Sequence, residues 1–333
     1  MRAGVNVFVA VMGWSAVIAA PFLFSTASSA EDVGSGAAGP FQEGADRWVP
    51  SIAVTSGVMI QEWKASVEST LFPGSGGAPE PVRPTENGID VDVSPFVAGG
   101  VELMTPTLPI PTSPRLFAGG DLTVAFTFDR KVAREGQPGK VRSPLPEGGT
   151  LAFTEDVLLG QGAETEAKLD QLLYGAHVGV AFPVELFGRA MRLKPSVGWI
   201  RYQIDVNAIV SDGACYTPPP YLQGAEETTC NSATSFQRSI SLLASGSETF
   251  DGIGPGLDIE MDTGRFGPLG TSLYLGARAF KILGSRSIEL NDAATFDDPV
   301  GSGDEAVGKW SLEVNDWMYR VGVGIRFQWL GSK

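Results

Sequence analysis

The sequence predicts an all-β protein, a closed antiparallel transmembrane β-barrel of eight strands occupying residues 47–330. Two observations carry this expectation. Long segments alternate apolar with polar side chains, the period of an extended strand with two unlike faces, and their connections are alternately long and short, the asymmetry of transmembrane barrels. The segments are 47–68, 88–105, 114–131, 167–183, 190–210, 236–262, 267–283 and 309–330. Polar linkers at 69–87, 132–166, 211–235 and 284–308 follow the first, third, fifth and seventh, and short links at 106–113, 184–189 and 263–266 join the rest. An even strand number puts both termini and the short turns on one side of the membrane and the long loops on the other.

Each element shows the period of two in its own way. In 88–105, Ile89, Val91, Val93, Pro95, Val97, Val101 and Leu103 fall on one face and Asp90, Asp92, Ser94, Ala98, Gly100 and Glu102 on the other. Phe96 interrupts the inner row, where it fills space or meets a luminal glycine. In the third segment Leu122, Val124, Phe126 and Phe128 oppose Asp121, Thr123, Ala125, Thr127 and Asp129. In the fourth, Ala176, Val178, Val180 and Phe182 oppose Gly175, His177, Gly179 and Ala181. A helix would need apolar recurrence every three or four residues instead.

The fifth segment changes phase. Leu193, Pro195, Val197 and Trp199 oppose Arg192, Lys194, Ser196 and Gly198, but beyond Trp199 the apolar row becomes Ile200, Tyr202, Ile204 and Val206, against Arg201, Gln203, Asp205 and Asn207. One inserted residue reverses the facing of everything after it, so a β-bulge near Trp199-Ile200 is expected. Pro195 lacks a backbone donor and belongs near a rim or a bulge. The sixth segment sets Ile253, Pro255, Leu257, Ile259 and Met261 against Gly254, Gly256, Asp258 and Glu260, and the seventh sets Leu273, Leu275, Ala277 and Ala279 against Tyr274, Gly276, Arg278 and Phe280. The sixth is long for one strand: it forms either one strand or a hairpin turning near Ser245–Glu248, which with a further strand at 151–159 gives ten strands and a roomier interior. The last segment has the longest unbroken row, Tyr319, Val321, Val323, Ile325, Phe327 and Trp329 against Arg320, Gly322, Gly324, Arg326 and Gln328. Tyr319 and Trp329 end that row where an aromatic belt meets the two membrane interfaces, and Trp48, Trp199, Tyr202 and Trp317 are candidates for the same belts.

Composition is compatible with this arrangement. Mean hydropathy is +0.06, as expected when half of each strand faces lipid and half a polar interior. Residues 1–30 read as a secretory signal, with Arg2 ahead of a mostly apolar stretch and Ser28-Ser29-Ala30 at the cleavage point. Removing it takes the net charge from −14 to −15, because the segment holds one cation and no acid. Residues 31–46 read as a flexible leader. The acidic balance, with no basic patch, excludes a nucleic-acid role.

An eight-stranded ring leaves room only for side chains. The inward acids Asp90, Asp92, Glu102, Asp121, Asp258 and Glu260 are therefore expected to pair with the inward bases Arg192, Lys194, Arg201, Arg278, Arg320 and Arg326, since burying an unpaired charge is expensive. His177 joins this network as a structural polar residue; no serine or cysteine nucleophile motif accompanies it, and the expectation is a protein without catalytic activity, cofactor or metal. Cys215 and Cys230, the only cysteines, flank the linker after the fifth segment and in an exported protein are expected to form a disulfide. Residues 163–173 are expected to form a short helix or irregular turn. Asp297, Asp298, Asp304 and Glu305 lack the spacing of a calcium loop and read as solvated surface.

Taken together, residues 47–330 resemble the Gram-negative outer-membrane β-barrels, in particular the small OmpA-like and opacity-type barrels. The matching element is the run Tyr319 to Trp329 with its aromatic end, although here the chain continues with Leu330-Gly331-Ser332-Lys333. The resemblance implies an outer-membrane location, contact with membrane lipids and lipopolysaccharide, recognition by the barrel-assembly machinery, and exposed loops that meet an extracellular partner. Two roles follow. One is a structural or surface-interaction protein with a side-chain-filled interior; the other is a small porin or selective channel for ions or small polar solutes.

Overall fold

A computed structural model describes residues 46–74, 76–136, 162–186, 189–216, 236–295 and 303–330. Among the described residues eleven strands form one antiparallel sheet: β1 (Val49–Phe72), β2 (Glu80–Met104), β3 (Arg115–Ala125), β4 (Arg130–Gly136), β5 (Gly162–Leu169), β6 (Leu172–Leu186), β7 (Arg189–Tyr216), β8 (Phe236–Phe266), β9 (Leu269–Leu283), β10 (Ser287–Thr295) and β11 (Glu305–Trp329). Their order is β4-β5-β7-β6-β3-β2-β1-β11-β9-β8, with β10 on β11 and a further pairing of β7 with β8. The sheet curves into a partial ring of eleven strands. This replaces both the closed eight-stranded barrel and its ten-stranded variant.

The miscount has a physical origin. Polarity led 132–166 and 284–308 to be read as loops, yet parts of both are strands whose inward positions are apolar: Val132 on β4, Ala163 and Ala167 on β5, and Ile288 on β10 are all buried. Residues 163–169, expected as a helix or turn, lie in β5 opposite β7. The sixth segment is a single strand: Ser245–Glu248 continue the β7–β8 ladder opposite Ile204–Asn207 without folding back. Residues 1–30, nearly all of 31–46, the 151–159 stretch, and Asp297 and Asp298 lie outside the described residues. The disulfide expected from the sequence is not found among the described residues. Cys215 continues β7 opposite Gln237, and Cys230 lies outside the described residues.

The bulge expected at Trp199-Ile200 does not occur, because β7 keeps one register against β8 from Met191↔Met261 to Tyr216↔Phe236. Even-numbered side chains of β7 point inward from Arg192 and Lys194 through Ile200, Tyr202 and Ile204 to Val210. What changes at Ile200 is the chemistry of the two faces. Below it the inner face is polar and the outer apolar; above it the inner face is apolar and the outer carries Arg201, Gln203, Asp205 and Asn207. β1 inverts at the same level, with Ile52 and Val54 exposed below and Trp63, Ala65 and Val67 buried above. Pro195 pairs with Leu257 of β8, and the β6–β7 ladder is interrupted beside it, between Gly179↔Ser196 and Phe182↔Leu193, with no change of register.

Above the inversion the ring divides into two four-stranded stretches, β4-β5-β7-β8 and β10-β11-β1-β2. They share a buried apolar core that includes Val67 of β1, Val210 of β7, Leu242 of β8 and Trp310 of β11. Side chains bridge the seams between them. Asp292 of β10 accepts the backbone N–H of Leu243 at 2.8 Å, and Arg130 of β4 reaches Asp92 of β2 at 3.4 Å.

Candidate functional site

Below the inversion, adjacent strands point charged side chains at one another. Glu260 of β8 lies at the centre, wholly buried: Arg326 Nη1 donates to its Oε2 at 2.7 Å, Arg192 Nη2 to its Oε1 at 3.3 Å and Gln328 Nε2 to its Oε1 at 2.9 Å. Ser272 also donates to it, and Lys194 Nζ lies 3.6 Å away. Glu102 of β2 accepts from Lys194 at 2.5 Å and faces Arg326 at 3.4 Å and His177 Nε2 at 3.5 Å. Asp121 of β3 accepts from Arg320 at 2.7 Å and faces Arg278 at 3.7 Å; Arg278 and Arg326 both face Asp258, at 3.5 and 3.7 Å. Seven strands contribute to this network, so it ties together parts of the sheet that share no ladder.

Three of these carboxylate-paired cations also lie over aromatic rings. Arg320 lies 4.3 Å from the Phe96 ring centre, Arg326 4.7 Å from Tyr274 and Lys194 4.3 Å from Phe117. Phe96 occupies the inner row because Gly57 and Gly322, partners across β1 and β11, leave room for its ring: a Cβ on Gly57 would lie 2.9 Å from the ring and 2.1 Å from the Val321 carbonyl. Gly119 likewise admits His177, whose Nε2 would lie 2.9 Å from a Cβ there.

Several residues expected in the network stand elsewhere. Asp92 is buried higher up, accepting from Ser94 at 2.8 Å and facing Arg130, and Asp90 lies above it on the same strand. Arg201 points outward and forms a bidentate pair with Asp251, at 2.9 and 2.8 Å. The hydrogen bond and charge of Arg201 outweigh desolvation and hold the Asp251 carboxyl below its ordinary range. Ser272 on Glu260 and the ring of Phe117 are not named by the sequence reading, whereas Gln328 and Tyr274 stand on the inner rows expected of them and join the network there. An aromatic set opposite a glycine on a neighbouring strand is the signal that finds Phe96.

The aromatics sort by level. Trp48 and Trp329 are exposed at the short-turn end, joined by Phe266, which is 80% exposed. Trp199, Trp317 and Tyr319 face outward at the inversion, where Trp199 Nε1 donates to Asp251 at 3.1 Å. Tyr202 is buried in the interior, where Gln61 donates to its hydroxyl at 2.6 Å and Phe250 stacks on it at 5.6 Å. Between the two levels the outer face exposes Ile52, Val54, Val97, Val101, Leu122, Val178 and Leu275 among others, an apolar band. The interior of this zone includes cavities of about 30 Å³, lined by groups such as Thr55, Tyr274 and Arg278. Val49, Met104, Phe117, Ala181 and Leu330 form a buried apolar cluster at the short-turn end.

No protein-family model matches this chain, and no curated protein matches it. Among solved structures it is similar to the attachment invasion locus protein Ail of Yersinia pestis, at 10% identity and a TM-score of 0.24, over 80% of this chain and 97% of that one. It is also similar to the outer membrane protein OprG from Pseudomonas aeruginosa, at 9% identity and 0.25, over 85% and 98%. A third is the P. putida toluene transporter TodX, at 7% identity and 0.19, over 83% and 90%. Likeness this slight carries no argument about what this chain does.

Proposed function

We propose that this chain is an outer-membrane protein of structural or surface-interaction type that does not conduct. The observation that carries the reading is the inversion of apolar residues between the outer and inner faces at one level of the ring. An outer apolar band bounded by aromatics matches a lipid-facing zone, and a polar exterior over an apolar core matches a body standing in water. In this reading the 1–30 segment directs export, the β11 row ending in Trp329 engages the assembly machinery, and the polar outer faces of the upper sheets meet a surface partner.

A porin would need a continuous water path. The interior supports the non-conducting alternative: the charged network fills the lipid-facing zone and apolar clusters lie above and below it. Single-channel recording on purified protein in planar bilayers tests this. The expected trace is the empty-bilayer baseline; stepwise conductance from the wild-type protein would replace this reading with the channel.

A further inference from the structure

We infer that the charged interior of the ring binds one chloride ion, in a small cavity walled by Arg278, Arg320 and Arg326. The site lies inside the ring and does not depend on the membrane reading above.

Its first basis is a count of charge. The network holds five cations, Arg192, Lys194, Arg278, Arg320 and Arg326, against four carboxylates, Glu102, Asp121, Asp258 and Glu260. Glu102 takes Lys194 at 2.5 Å, Asp121 takes Arg320 at 2.7 Å and Asp258 takes Arg278 at 3.5 Å. Glu260 is left to serve both Arg192 and Arg326, at 3.3 and 2.7 Å. One positive charge is therefore in surplus. The next charges toward the short-turn end, buried Arg115 and half-buried Asp262, add one of each sign and leave the surplus as it was. Asp90 and Asp92 stand higher on β2, beyond Phe96, and Asp92 has its own cation in Arg130. The rings of Phe96, Tyr274 and Phe117 attract the cations they face but carry no net charge. A surplus charge in a poorly solvated interior is costly until an opposite charge joins it.

The second basis is a place for that charge. Arg278, Arg320 and Arg326 wall a cavity of about 30 Å³ together with His177, Glu102 and Asp121, three cations against two carboxylates. The volume admits a guest of about the size of a water molecule, so a single-atom anion fits and sulfate or phosphate does not. Donors around it are unused: Arg326 Nε and Arg278 Nε are buried with no hydrogen-bond partner among the described residues. His177, 8% exposed, makes no hydrogen bond at either ring nitrogen, Nε2 standing 3.5 Å from Glu102. Asp121 is committed, its Oδ2 accepting from Arg320 at 2.7 Å and Thr123 at 3.0 Å. Glu102 Oε2 is the one unbonded acceptor on the wall, 3.4 Å from Arg326 Nη2. Water would fit the volume and leave the surplus charge standing; chloride accepts from the unused N–H groups and cancels it.

The test uses the full chain purified in detergent, unfolded by urea in sodium chloride and in sodium gluconate at equal ionic strength. The wild-type midpoint is expected to rise with chloride and level off, as binding to the folded state alone requires, and to stay flat in gluconate, which is too large for the cavity. Arg326→Gln removes the surplus cation and its Nε donor but leaves Glu260 with Arg192 and Lys194. It should need roughly ten-fold more chloride for the same rise, the worth of a hydrogen bond to a charged group, whereas Arg201→Gln on the outer face leaves the chloride dependence unchanged. A second measurement needs no variant: wild-type crystals grown in bromide should show an anomalous-scattering peak between Arg278, Arg320 and Arg326. An equal rise in both salts, the same chloride dependence in all three proteins, or bromide found only on the surface as an adventitious ion overturns the proposal.

Discussion

Glu260 and Arg326 show why the interior charges stand or fall together. Each is buried, and each depends on partners from other strands: Glu260 faces Arg192, Lys194 and Arg326, while Arg326 faces Glu102, Asp258 and Glu260. Removing one carboxylate leaves cations in a poorly solvated interior without compensation, which costs more than the net worth of any one pair. Glu260→Gln is expected to lower unfolding free energy by about 3–5 kcal/mol, read as a shifted denaturant midpoint in detergent. A midpoint within error of wild type would mean that water already solvates the network. The residue scale was also the most legible in the sequence. Alternation alone assigns Glu102, Asp121, His177, Lys194, Asp258, Glu260, Arg320 and Arg326 to one face. It misassigns Arg201, because there an exchange of apolar and polar residues between the two faces imitates a change of facing.

At the scale of elements, strands were legible where one face carries an exposed apolar row and poorly legible where it does not. The β4–β5 hairpin is the clearest case: its sequence is polar enough to read as a loop, and small buried residues such as Ala163 and Ala167 give little apolar signal. Its outer face is held by Lys131, which donates to Glu164 at 2.8 Å and faces Glu166 at 3.4 Å, with Arg134 on Glu164 at 3.2 Å. Burial pushes the Glu164 carboxyl up, but the Lys131 hydrogen bond and the cationic pair outweigh it and hold it below the ordinary value of 4.5. Because the folded carboxyl titrates lower than the unfolded one, its contribution is complete above the ordinary value and is lost as pH falls through the depressed one. Amide exchange in β4 and β5 should therefore accelerate, relative to β3 and β6, only as pH drops below that ordinary value of 4.5. Glu164→Gln should remove the pH-dependent part of that difference. Acceleration already at pH 6 would assign the hairpin's stability to some other group.

For the whole molecule, the sequence reading expected two unlike faces but placed only one chemistry inside. The structure has two in succession, ion-paired within the apolar band and apolar above it, and the phase change in the 190–210 segment was the visible trace of the passage between them. Strand number was not legible, because ladder partners such as β5 with β7, or β10 with β11, are set by contacts between segments rather than by any pattern within one. The central claim is that the inversion level on β7 marks the edge of the lipid zone. Nitroxides at Val197, Gln203 and Asn207 in reconstituted liposomes, relaxed by oxygen and by a water-soluble nickel chelate, measure it directly. The account predicts oxygen-dominated relaxation at Val197 and chelate-dominated relaxation at Gln203 and Asn207. Oxygen-dominated relaxation at all three, or chelate access equal at Val197 and Asn207, would contradict it.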